Sequence, residues 1–242
     1  MDTYSCQPLQ IFNNYNKTLS FKTSNTFVGR NSLKGKQGIE NSAFGAEALG
    51  GGSGINSGSR NTAIGRGACY NNTTGERNTA LGFDALNNNQ KGILNTALGS
   101  YALVQLVNGQ DNTACGRESL ANLGLYVDQN NTNSAYNNSG IGAQSGVNLG
   151  YGSANNYNNT FLGANTDIED ENTSYNNSTA VGAGSIITKS NQLVLGISST
   201  ETYIPGSLSI NSANIDTDNK FSTLYIYDQN GTKYGITLTK HN

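Results

Sequence analysis

The sequence predicts an all-β repeat solenoid, a β-roll of short strands with about 17 residues per coil. Three observations carry that prediction. From Asn61 to Leu120 the chain reads in register as NTAIGRGAC, NTALGFDAL, NTALGSYAL and NTACGRESL, beginning at Asn61, Asn78, Asn95 and Asn112, with shared glycines at Gly65, Gly82, Gly99 and Gly116. The period does not vary across these four units, the mark of stacked supersecondary elements that cannot bury their apolar faces alone. The unit is also too short, and too rich in Gly, Asn and Thr, for paired helices, which need roughly 30 or more residues per repeat. Finally, the 242 residues are 12% charged and 35% hydrophobic, with 30 glycines, two prolines and no tryptophan. That is too little apolar area for a broad globular core, while the strict period argues against disorder.

Each unit opens with a short strand block. In Asn78-Thr79-Ala80-Leu81-Gly82 the side chains alternate, so Thr79 and Leu81 face one way and Ala80 the other. Two apolar columns follow: Val28, Phe44, Ile64, Leu81, Leu98, Cys115, Ile141, Leu162 and Val181 just before the glycines, and Leu33, Leu49, Cys69, Leu86, Leu103 and Leu120 a fixed step after them. A small-residue column, Ala48, Ala68, Ala85, Ala102, Ser119 and Ser145, runs beside the second. Coils of one strand each would pair about 4.8 Å apart. The repeated Asn is then expected to stack as an amide ladder, and the repeated Gly to make a tight corner with φ > 0. So thin a core leaves the second apolar column to cover, and a cyclic homo-oligomer with that edge toward its axis is expected to cover it.

In chain order, residues 1–24 form a lead-in or attachment segment, 25–196 the repeat domain and 197–242 a C-terminal β-hairpin cap. The opening MDTYSCQPLQIF has neither a basic and apolar secretion signal nor a lipidation box, so assembly without a signal peptide is expected unless one has been removed. Residues 4–24 read equally as a short strand or as a peptide that plugs into a partner. Early coils start at Asn25 and Asn41, with a Gly-rich linker from Gly50 to Gly58. Later coils start at Asn138, Asn159 and Ser178, each farther from the one before it than the core period allows. Asn191 to Gly196 reads as the last coil, Thr202 to Ile210 as strand, Pro-Gly turn and strand, and Leu224 to Leu238 as a hairpin around Asn230-Gly231. A hairpin there would cap the open end of the stack.

The insertions at 121–137, 147–158 and 166–177 are expected to leave the stack as loops. They carry Tyr126, Tyr136, Tyr151, Tyr157 and Tyr175 among Asn, Ser and Gly, a composition suited to adaptable recognition and equally to solvated excursions. Asp167, Glu169, Asp170 and Glu171 read as a solvated acidic loop, since neither an EF-hand nor a GGxGxD repeat surrounds them. Cys69 and Cys115 occupy apolar columns and read as small buried hydrophobes; with Cys6 they have no metal or disulfide spacing. No catalytic, cofactor or metal site is expected. A net charge of −2 without a basic block gives nucleic acid no footprint, and no apolar run suggests membrane insertion.

The recurrent N-T-A-[IL]-G-x-x-A-L units resemble those of trimeric β-roll fibres in the tail and surface fibres of phages and large DNA viruses, and are similar to the heads of YadA-type trimeric adhesins. NQLVLG followed by TYIPGSLSI is similar to the segment that closes such arrays in viral fibres. The resemblance covers about residues 25–210. It implies a homotrimer, an elongated shape, a place on a virion or extracellular surface, and attachment to a host glycan or receptor, with another particle protein held at the N-terminus. The coiled-coil stalk and membrane barrel of the adhesins are not seen in this sequence, which favours the viral version.

The leading expectation is therefore a non-enzymatic attachment protein, and the alternative an architectural filament or capsid-decoration subunit without a receptor. A glycan depolymerase would need two carboxylates about 5 to 9.5 Å apart. Glu47, Asp84 and Glu118 share one coil position but are separated by coils bearing Gly67 and Tyr101, and the lone His241 lies at the chain end. An ice-binding face is the remaining class, on the column Thr62, Thr79, Thr96 and Thr113, which ordinary strand propensity also explains.

Overall fold

The computed structural model describes residues 24–35, 37–51, 57–125, 135–152, 155–199, 224–227 and 233–236. The lead-in at 1–23, Tyr126 and the strand-turn-strand at 202–210 lie outside the described residues. Residues 1–197 and 198–242 form two units.

The first unit is a parallel β-solenoid without helices among its described residues. Its main sheet has ten strands, all of three residues and most of them Thr or Ser, then Ala, then an apolar residue: β1 (Thr26–Val28), β2 (Ser42–Phe44), β3 (Thr62–Ile64), β4 (Thr79–Leu81), β5 (Thr96–Leu98), β6 (Thr113–Cys115), β7 (Ser139–Ile141), β8 (Thr160–Leu162), β10 (Thr179–Val181) and β12 (Leu193–Leu195). Register is strict: Thr79 pairs Thr96, Ala80 pairs Ala97 and Leu81 pairs Leu98. It survives the long coil, where Ala114 pairs Gly140. The middle residue of each block points inward and is buried from Ala43 to Ala180, while the residues on either side face outward.

The repeated asparagines form the expected ladder, buried from Asn41 to Asn159. The Asn95 backbone N–H and Nδ2 donate to Oδ1 of Asn78 at 3.0 and 3.1 Å, and Asn95 Nδ2 also donates to the Gly109 carbonyl at 2.8 Å. Asn112 repeats this onto Asn95 at 3.1 and 3.0 Å. Each amide thus couples its coil to the preceding one and closes its own coil onto a carbonyl farther along. At the far end Ser178 takes over, its N–H on Asn159 Oδ1 at 3.2 Å and its Oγ accepting from the Gln192 N–H at 3.3 Å.

The glycine after each strand has φ between 132° and 144° from Gly29 to Gly163. Conformation is only half of its reason. A Cβ on Gly82 would lie 2.6 Å from the Gly99 carbonyl carbon, and the same collision recurs from coil to coil. The glycine column is where successive backbones touch.

After the glycine the chain turns inward through two left-handed residues. The second is a buried leucine or cysteine: Leu49, Cys69, Leu86, Leu103 and Leu120 all have φ of 49–51°. A non-glycine residue there costs about 1–2 kcal/mol, and burying a leucine contributes about 1.5–3 kcal/mol, so the inward leucine offsets its own strain. Its N–H also bonds the next coil, as Leu86 to the Ala102 carbonyl at 3.0 Å.

Farther round, Asn72 and Asn89 start a second internal amide column, joined at 3.0 Å, which gives way to buried Leu106, Leu123 and Leu149. The Asn89 Oδ1 at that junction is buried without a hydrogen bond among the described residues. At Gly146 the enlarged Phe161 of the next coil fills the interior: a Cβ on Gly146 would meet its ring at 2.8 Å. The last coils keep the first left-handed residue, at Asn165 and Gly184, but replace the second by a small parallel sheet, β9 (Asp167–Ile168) with β11 (Ile186–Ile187). The insertion at 166–177 is therefore partly strand, and not wholly a loop.

In the second unit β13 (Leu224–Tyr227) and β14 (Lys233–Ile236) pair antiparallel, Leu224 with Ile236 and Tyr227 with Lys233. The Asn230-Gly231 turn lies outside the described residues.

Asn95→Ala strands the Asn112 N–H and the Gly109 carbonyl in a buried site, and is expected to cost roughly 2–4 kcal/mol in urea unfolding followed by circular dichroism. Gly82→Ala, which meets backbone it cannot displace, is expected to cost more. Half-buried Ser100→Ala, which gives up only a 3.5 Å bond to the Phe83 carbonyl, is expected to stay within about 0.5 kcal/mol of the parent.

Candidate functional site

Three surfaces and one buried carboxyl stand out. The first surface is the column before the glycines, and not the second column that was expected to need covering: Leu49, Cys69, Leu86, Leu103 and Leu120 turn inward and are buried within their own coils. Alternation turns it outward, and Val28, Phe44, Ile64, Leu81, Leu98, Ile141, Leu162 and Leu195 are all exposed, Leu81 by 48%. At one coil every 4.8 Å or so, ten strands make this stripe about 43 Å long. Monomers rarely leave contiguous apolar surface of this extent open. Cys115 lies in it and is exposed, in contrast to the buried Cys69, so the expectation that both are buried holds only for Cys69. The physical reason is strand alternation: Cys115 is the outward residue of β6, and Cys69 the inward residue of a turn.

The second surface is the corner just after the glycines. Arg66 lies over the Phe83 ring, 5.4 Å from its centroid, and Phe83 meets Tyr101 edge to face at 5.2 Å. Glu47 accepts from Arg30 at 3.2 Å and faces Arg66 at 4.0 Å. Exposed aromatic and arginine side chains of this kind are the usual anchors of protein interfaces. Glu118 pairs with the next coil's Gln144, whose Nε2 donates at 2.7 Å. That bond, with Arg117 alongside, holds the Glu118 carboxyl below its ordinary value. Glu47, Asp84 and Glu118 remain separated by the coils of Gly67 and Tyr101, as the in-register stacking requires. Among the described residues no group of three or more His, Cys, Asp or Glu side chains gathers where it could hold a metal ion.

The third surface carries the tyrosines. Tyr136 and Tyr157 fall just ahead of successive ladder asparagines, are joined through a parallel bridge, and stack their rings at 4.9 Å with 3° between planes. Tyr151 is exposed. Tyr175 is not a surface residue: it is 1% exposed, and its hydroxyl accepts from the Asp170 N–H at 3.1 Å. Its ring fills the interior of a coil, so it cannot serve as the contact expected of it.

The acidic cluster divides likewise. Asp170 is exposed, caps its own turn through the Asn172 N–H and the Thr173 hydroxyl, and is held below its ordinary value by those bonds. Asp167, expected to be solvated, is 8% exposed and sits in β9 at the place of the inward leucine. Burial pushes its carboxyl from 3.8 up to about 6, although the Asn148 N–H and Nδ2 donate to it at 3.2 and 2.8 Å.

What sequence reading missed in these surfaces is a second, external amide column at Asn137, Asn158, Asn177 and Asn191, linked from coil to coil. The signal was present: each stands immediately before the first residue of a strand block. No protein-family model matches the chain, and no curated protein matches it.

The folded pKa of Asp167 lies above its unfolded value, so its contribution to stability is complete below pH 4 or so and is lost as pH rises through 6. The loss is on the order of 3 kcal/mol. Asp167→Asn is expected to flatten stability between pH 4 and 7 and to raise the melting temperature at pH 7.5, read by thermal unfolding across that range.

Proposed function

We propose that the chain is a non-enzymatic structural protein that assembles as a homotrimer, a fibre head or spike on a virion or extracellular surface that attaches to host glycans or receptors. The single observation that carries assembly is the outward apolar stripe from Val28 to Leu195, continuous over ten strands and flanked by the Arg66, Phe83 and Tyr101 corner. Burying such a stripe at a symmetry axis removes apolar area from water at about 25 cal/mol per Å², in every coil at once. Parallel, in-register association matches coil to coil and needs no adjustment of the backbone. The number three comes from the resemblance of the N-T-A-[IL]-G-x-x-A-L units to trimeric β-roll fibres. Attachment rests on the same resemblance and on the exposed tyrosines of the later coils.

Light scattering of the native chain tests assembly. A species of three times 25.5 kDa is expected. Leu81→Asp with Leu98→Asp is expected to give a folded monomer, because both side chains point away from the core. In a Cys6→Ser background the Cys115 thiol is expected to resist a thiol reagent in the assembled protein and to react in that monomer. A monomeric parent would overturn the proposal.

A further inference from the structure

We infer that the tyrosine pair and the external asparagine column form one binding strip for a neutral glycan chain lying along the stack. The inference rests on the proposed attachment role and gives that role a site.

Tyr136 and Tyr157 form an aromatic plate two rings thick, with Tyr136 36% exposed. Beside them, next along in each coil, Asn137 Nδ2 donates to Asn158 Oδ1 at 3.1 Å, Asn158 to Asn177 at 2.9 Å, and Asn177 to Asn191 at 3.1 Å. All four asparagines are exposed, and all are held in the left-handed region at φ of 54–59°. A primary amide has two donors and two acceptor lone pairs. Within this column each of the two central amides spends one donor and one lone pair on its neighbours. The other donor and lone pair are therefore available to a ligand, side by side, in a row with the coil spacing of about 4.8 Å.

The chemistry of that row selects its ligand. A donor and an acceptor fixed next to one another match a pair of neighbouring sugar hydroxyls, each of which both gives and accepts a hydrogen bond. The tyrosine plate supplies rigid contact area with few rotamers to freeze, for the apolar C–H faces of a sugar ring. Charge is missing: Asn137, Asn158, Asn177 and Asn191, and Tyr136, Tyr157, Asn176 and Ser190 before them, include no ionisable group other than the two phenols. Asp111, the residue of the amide column one coil earlier, is engaged by Gln110 at 3.0 Å. Exposed Lys189 flanks only the last rung, so an anionic polymer finds no row of cations along the four asparagines to hold it, whereas a neutral one loses nothing. Because the amides are tied to one another before any ligand arrives, binding orders little that is not ordered already.

The test is binding of the assembled full chain to immobilised neutral polysaccharides, namely dextran, mannan, β-glucan and chitin oligosaccharides, with heparin as the anionic counterpart. Binding to at least one neutral polymer is expected, unchanged by added salt. Tyr136→Ala with Tyr157→Ala is expected to weaken it about tenfold or more, and Lys34→Ala, at an exposed position of the first coil, to leave it within about twofold. Asn158→Asp keeps the size and an acceptor but removes the donors and adds charge; it is expected to weaken binding about tenfold, and serves where the double tyrosine variant fails to fold. Native mass and unfolding of each variant separate lost binding from lost structure. Neutral binding that survives both substitutions in folded protein overturns the site and leaves the attachment role standing elsewhere on the molecule. Binding to heparin alone overturns the neutral class. A parent that binds neither polymer overturns the inference, while light scattering still decides the trimer.

Discussion

The interior asparagine ladder is the interaction on which the rest of the stack depends. A single coil encloses little more than an alanine, a second small residue and one leucine, too little to hold the backbone in place by burial alone. The polar groups of its tight turns must still be satisfied away from water. One amide per coil does both jobs: Nδ2 closes its coil on a carbonyl farther along, 14 residues ahead of Asn95 and 23 ahead of Asn112, and Oδ1 accepts from the backbone and the side chain of the next rung. Closing and stacking therefore cannot be separated. This explains why the asparagine persists from Asn25 to Asn159, through short coils and long ones alike, while almost everything after the turn changes. Ser178 ends the run because a hydroxyl, with shorter reach, meets the same two needs where the coil contracts.

Around that ladder, coil length changes only where the section of the coil is not fixed by it. The strand, the glycine contact and the first inward turn repeat with little variation. Insertions enter before the next asparagine, and there the chain is free to build surface. The stacked tyrosines and the external asparagines Asn137, Asn158 and Asn177 lie in the coils so lengthened. Local stability and surface chemistry are thus carried by different arcs of one coil, which suits a protein whose interactions vary while its scaffold does not.

Much of this was legible in the residues. The period, the strand blocks, the ladder and the positive φ of Gly82 and its equivalents follow from spacing and from the chemistry of Asn and Gly. Other features were hidden because they belong to the third dimension of the coil. Helix and strand propensities do not place a leucine such as Leu103 at φ 50°, since the compensation is burial and burial is not local. Asp167 and Tyr175 read as surface residues by type, but each occupies an interior place that the coil assigns by position. Phe161 opposite Gly146 is an exchange of volume between neighbouring coils, invisible to any reading of one coil at a time. Cys115 shows the limit most simply, since two columns of equal apolarity give no hint of which lies inside.

The left-handed leucine does, however, leave a mark by which the two columns are told apart. A side chain branched at Cβ collides with the backbone in that conformation, whereas Leu and Cys do not branch there. The inward column from Leu33 to Leu120 accordingly contains only Leu and Cys, while the outward one admits Val28, Ile64, Ile141 and Val181 freely. Isoleucine takes the equivalent place once, at Ile186, where the chain has straightened into β11 and the side chain is exposed. In a repeat of this kind the hydrophobes branched at Cβ are thus a record of handedness: taken down a column, they mark it as the one turned out and show where the inward turn is abandoned.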